Sequence, residues 1–105
     1  MRYPALAGRR DANEAEIITA LEAVGATVDQ NPIGKGAPDL DVGYDGQNFK
    51  MEVKMPNGKL NAKQVVWHGR WKGQKCVVRT PAEALAVLGI SYGDSRDDWA
   101  RRAGL

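Results

Sequence analysis

The chain has 105 residues, 43% of them hydrophobic and 27% charged, with a formal net charge of +2. That length holds one domain of ordinary globular composition, and no apolar run approaches the roughly 18–20 residues that a membrane helix needs. The N-terminal MRYPALAGRR has no apolar stretch of the secretory kind, and the single cysteine, Cys76, excludes an internal disulfide and reads as a buried thiol of a reducing compartment.

Residues 1–10 lack periodicity and read as a basic arm. DANEAEIITALEAVG (11–25) predicts a helix in which Asp11 is the N-cap and Glu14 stands three residues on, the capping-box spacing. Ile17, Ala20, Leu21 and Val24 share one face of it. ATVDQN predicts a short strand, and the Gly/Pro-rich NPIGKGAP a loop. DLDVGY and NFKMEVKM each alternate apolar and charged residues, and Asp45-Gly46 between them is a strong hairpin signal. The loop MPNGKLN leads to a second helix, AKQVVWHGRWKG, then to an apolar strand, KCVVR. Thr80 as N-cap, Pro81 at the first helical position and Glu83 at the third open a last helix through AEALAVLG. The tail, residues 91–105, reads as one weak amphipathic turn around Trp99. The order predicts an α/β domain over 11–90, a mixed sheet with a helix on each side.

Charge is unevenly spread along this frame. Residues 11–46 carry eight acids and one base, whereas 47–80 carry eight bases and one acid, Glu52. An acidic cluster beside a basic one suits a cation site next to a polyanion track, although solvated alternating faces give the same count. Position decides more. A period of two puts Asp39, Asp41, Lys50, Glu52 and Lys54 on one face of the hairpin and Leu40, Val42, Tyr44, Phe49, Met51 and Val53 on the other. Glu52 and Lys54 then point the same way, about 7 Å apart along the strand. Antiparallel pairing across the turn sets Tyr44 opposite Gln47 and Asp39 opposite Glu52. Two carboxylates so placed bind a hard cation through oxygen, and a neighbouring lysine can hold a water or stabilise phosphoryl charge.

GAPDLDVGYDGQNFKMEVK resembles the core of PD-(D/E)XK nucleases: Pro38-Asp39, a turn, then Glu52-Val53-Lys54. The wider order, with AEII on the first helix and Gln64 and His68 in a Q-x-x-x-H step on the next, is similar to stand-alone VRR-NUC-type, Holliday-junction-resolvase-like nucleases of phages and bacteria. It covers about residues 11–88. The resemblance implies a restriction-endonuclease-like αβββαβ core and a Mg²⁺- or Mn²⁺-dependent endonuclease acting on DNA, structure-specific for branched or four-way junctions. It implies Asp39 and Glu52 as metal ligands, with the Val53 carbonyl as a third. Lys54 becomes the catalytic lysine, with Gln64 beside it. The first helix usually adds a glutamate: Glu14 fits the capping box, while Glu16 better matches the acidic-Ile step and is the one carried over. A homodimer in the cytoplasm of a bacterial cell or phage-infected host is implied as well.

Along the expected DNA path lie Lys35, Lys50, Lys59, Lys63, His68, Arg70 and Lys72, all candidates for phosphate contact. GKGAPD lacks the P-loop spacing, which argues against a nucleotide cofactor. Asp41 is either a partner of the site or a solvated acid. His68 reads first as a satisfied surface histidine, and Trp67 and Trp71 as packing or interface residues ahead of base-stacking ones. A non-catalytic nucleic-acid-binding or protein-interaction module on the same fold is the alternative.

Overall fold

A computed structural model describes residues 10–90. The expected arm, all but Arg10, and the expected tail lie outside the described residues. The elements are α1 (Glu14–Ala23), β1 (Thr27–Gln30), β2 (Leu40–Tyr44), β3 (Gln47–Val53), α2 (Ala62–Arg70), β4 (Lys75–Val78) and α3 (Pro81–Val87). They form a mixed α/β domain around one four-stranded sheet of order β1-β2-β3-β4. The first three strands run antiparallel, and β4 joins β3 in parallel, with α2 on the crossover between them. Among the described residues no helix is long and apolar enough to cross a membrane.

The β2–β3 hairpin follows its sequence pattern closely. Asp45 (φ 51°) and Gly46 (φ 78°) both take the left-handed conformation of a tight two-residue turn, which fixes the register. Tyr44 faces Gln47 and Leu40 faces Met51, so the same register continued by one step sets Asp39 opposite Glu52. One face of the sheet, with Leu40, Val42, Phe49, Met51, Val53 and Val78, packs on Ile17, Ala20 and Leu21 of α1 and Ala84 and Leu85 of α3. Full burial of residues such as Ile17, Leu21, Leu40, Met51 and Leu85 contributes about 1.5–3 kcal/mol each and makes this face the anchor of the fold. The opposite face carries Asp41, Lys50 and Glu52. α2 lies over that face: Gln64 reaches Glu52, and the Lys50 ammonium sits 5.2 Å from the Trp71 ring centroid.

The start of α1 and the end of α2 both depart from the sequence expectation. Asp11 does not cap α1; the N-cap is Asn13, and its side chain makes no capping bond. The Asn13 amide instead donates to the main-chain carbonyls of Lys54 (3.0 Å) and Arg79 (2.8 Å), pinning the ends of β3 and β4 to the start of α1. Asp11 contributes only its carbonyl, which accepts from the Glu14 N–H. α2 is shorter than expected: it ends at Arg70, where Trp71 turns extended (ψ 128°). α3 starts as its sequence predicts, with Thr80 Oγ accepting from the Glu83 N–H.

Candidate active site

The C-terminal end of β3, the segment before β2, the loop 33–37 and the first turn of α2 enclose a cavity of about 550 Å³. Asp39, Glu52, Val53, Lys54 and Gln64 line it, as does Asp11. The antiparallel register brings Asp39 to Glu52, and period-two geometry brings Lys54 to the same wall. Val53 lines the cavity while its side chain is buried in the apolar core, so what it offers there is backbone.

Each of these groups is held. Asp39 Oδ2 accepts from the Val53 N–H at 2.8 Å. Glu52 is only 1% exposed; its Oε2 accepts from Gln64 Nε2 at 3.0 Å. Gln64 is itself fixed by a reciprocal capping box: its N–H donates to Asn61 Oδ1, and its Oε1 accepts from the Asn61 N–H, both at 2.9 Å. Lys54 is anchored through its main chain, the carbonyl to Asn13 and the N–H to the Val78 carbonyl at 3.0 Å.

Electrostatically the cavity is tense. Glu52 Oε1 is buried without a hydrogen-bond partner among the described residues. Burial, foremost, pushes the Glu52 carboxyl up to about 8, helped by the neighbouring Asp39, which favours the protonated form both as an acceptor for its proton and by charge repulsion, and by the Asp11 charge, while Lys54 pulls the other way. Two carboxylates side by side, one with an unpartnered buried oxygen, fit a hard divalent cation that takes oxygen ligands. No group of three His, Cys, Asp or Glu side chains that could hold a metal is found among the described residues, so the oxygen donors on offer here are this pair, backbone and solvent.

The remaining candidates separate clearly. Glu16 is exposed on α1 and lies outside the cavity. Glu14 is buried in a different cleft, where its Oε2 pairs with Arg10 at 2.9 Å and Gln30 at 2.8 Å. The acid that the start of α1 brings to the cavity is Asp11. Lys63 lines it too, whereas Lys35 and Arg70 line an adjoining furrow with Lys63. Lys50 is engaged elsewhere, paired with Asp41 at 3.0 Å; Asp41 also accepts from Asn31. Lys59 and Lys72 are exposed outside both. His68 is also outside the cavity; burial, with the nearby Lys75 charge, lowers its pKa, and its Nε2 finds no partner among the described residues. Trp67, 8% exposed, stacks on Trp71 with centroids 4.9 Å apart, so both rings serve packing. The Cys76 thiol is pushed up to about 11 by burial, which suits an inert structural role.

Two positions at this site escape a reading of the sequence. Asn61 has a local signal, the N-x-x-Q spacing of a capping box, inside what reads as a loop. Asn13 has none, because its acceptors lie 41 and 66 residues away. No family model, curated protein or solved structure matches this chain. Its site stands on geometry alone.

Proposed function

We propose that the chain is a Mg²⁺- or Mn²⁺-dependent endodeoxyribonuclease with the restriction-endonuclease-like core of the PD-(D/E)XK enzymes. One observation carries the reading: Glu52 is buried beside Asp39 with an oxygen that no donor among the described residues satisfies, on the cavity wall that also bears Lys54. An acid pair is a poor choice for a merely structural position, since desolvated like charges oppose each other. Opposite a divalent cation the same pair is stabilising. Asp39, Glu52 and the Val53 carbonyl are the groups that would hold it.

The cation supplies Lewis-acid stabilisation of charge on a phosphoryl group. The chain supplies the rest. Gln64 holds one oxygen of Glu52 and leaves the other free. Lys54 brings a positive charge to the developing negative charge as water oxygen bonds to phosphorus and gives a proton to solvent, and the ester oxygen leaves and takes up a proton from solvent. Its main-chain anchors keep that charge in register with the carboxylates. One such centre per chain suits a nick, so the paired cuts of a branched or four-way DNA call for a two-fold homodimer, the commonest soluble assembly. The proposed setting is the cytoplasm of a bacterial cell or phage-infected host.

Cleavage assays on linear duplex, single-stranded, flap and four-way-junction DNA with Mg²⁺ or Mn²⁺ test the reading. Wild type cleaves at least one of these, and Glu52→Gln, folded by circular dichroism, cleaves none. Retained cleavage by the folded variant, or wild type without affinity for either metal, removes the assignment in favour of a binding module. Light scattering at micromolar concentration is expected to give a dimer mass; a monomer removes the paired-cut mechanism while sparing the chemistry.

A further inference from the structure

Beside the catalytic cavity runs a second depression of about 350 Å³, lined by Lys35, Ala62, Lys63, Val66, Trp67 and Arg70. The two share Ala62 and Lys63, so they form one continuous path over the first turns of α2. Their charges differ in kind. The first holds three acids with Lys54 and Lys63; the second holds three bases and no acid.

The bases of the furrow are set in place by the fold. Gly34 (φ 102°) and Gly36 (φ 90°) flank Lys35 and carry it around a bend that other residues rarely adopt. A Cβ on Gly36 would lie 2.9 Å from the Lys63 carbonyl oxygen, so the loop rests directly on the α2 backbone. The Lys63 ammonium reaches back to the Gly34 carbonyl at 3.5 Å. The Arg70 guanidinium stands 6.0 Å from the Trp67 ring centroid, at the reach of a cation–π contact. Lys35, Lys63 and Arg70 are all exposed, and none is in an ion pair among the described residues. By contrast Lys50 is paired with Asp41, and Lys75 donates to the last carbonyls of α2.

We propose that Lys35, Lys63 and Arg70 form a second phosphate subsite, so that the substrate is a polynucleotide strand seating a neighbouring phosphate in the furrow while another occupies the Asp39–Glu52 cavity. The assignment of the second cavity rests on the nuclease reading; the furrow's affinity for a polyanion does not. Among the described bases, these three and Lys54 line the two depressions and so belong to the strand's path.

Fluorescence anisotropy with a labelled DNA duplex in EDTA, over a salt series, reads the furrow without cleavage. Lys35→Ala combined with Arg70→Ala is expected to weaken binding about tenfold or more and to lower the log–log salt slope by about two. That loss should exceed the loss from Lys72→Ala, which lies outside the furrow, by a wide margin. An equal loss from Lys72→Ala, or a slope the double variant leaves intact, overturns the subsite. Hydrolysis of bis(p-nitrophenyl) phosphate with Mn²⁺ reads the first cavity separately. Failure of wild type there counts against the nuclease reading and leaves the furrow's binding result standing.

Discussion

Glu52→Gln removes the proton that makes this fold sensitive to pH. The Glu52 carboxyl stands at an ordinary 4.5 when the chain is unfolded and at about 8 when it is folded, chiefly through burial. Below 4.5 both states hold the proton. Between 4.5 and 8 the unfolded chain releases it and the native state does not, so native stability falls as pH rises. Above 8 both states are ionised and the slope ends. The full contribution, present below 4.5 and lost through 8, is on the order of 4–5 kcal/mol, a large share of a small domain's total. Glutamine keeps the shape, retains a donor toward Asp39 and has no proton to lose. The variant is expected to be more stable than wild type at pH 7 by about 3 kcal/mol and to show little of the pH slope. Urea unfolding in EDTA, followed by tryptophan fluorescence from acid to mildly alkaline pH, measures both. Parallel stability–pH curves for the two proteins would refute the argument. Mg²⁺ supplies the second half of the test: at a hundredfold excess over its Kd it should raise wild-type stability by about 2.7 kcal/mol. It should do little for the variant.

Asn13→Ala leaves the carbonyls of Lys54 and Arg79 without their shared donor; a lowered urea midpoint corresponding to about 2–3 kcal/mol is expected, with a fall in cleavage rate because Lys54 loses one of its two main-chain anchors. Gly36→Ala forces a left-handed backbone and a 2.9 Å contact, whereas Gly46→Ala meets open space at φ 78°. Thermal melts should therefore show a loss of about 2–3 kcal/mol for the first against about 1 kcal/mol for the second. Lys54→Ala is expected to lower kcat by roughly a hundredfold to a thousandfold while calorimetry still finds Mg²⁺ binding; near-normal turnover would reduce Lys54 to a bystander.

The sheet was legible because its signals are local. Asp45-Gly46 permits one turn geometry, and strict alternation on either side permits one register, so the opposition of Asp39 and Glu52 follows from the twelve residues between them. The helix contributions were harder. Asp11, Glu14 and Glu16 all sit near the start of α1, and helical spacing alone does not tell which one the sheet will approach. The outcome turns on Asn13, whose side chain is committed to two carbonyls distant in sequence, which shifts the helix start to Glu14 and leaves Asp11 facing the cavity. The bases pose the same problem. Lys50 and Lys63 look alike in a sequence, but period-two pairing gives Lys50 to Asp41, and the glycine loop gives Lys63 an open furrow.

Position 64 is under two demands that a helix alone would not impose. Glutamate at the third position of a capping box serves the helix as well as glutamine does. In this chain the exchange would remove the amide nitrogen that meets Glu52 and set a third anion against a carboxyl already reluctant to ionise. A substitution that is conservative for α2 is thereby disruptive for β3, and the freedom of residue 64 to vary is governed by an acid twelve residues earlier.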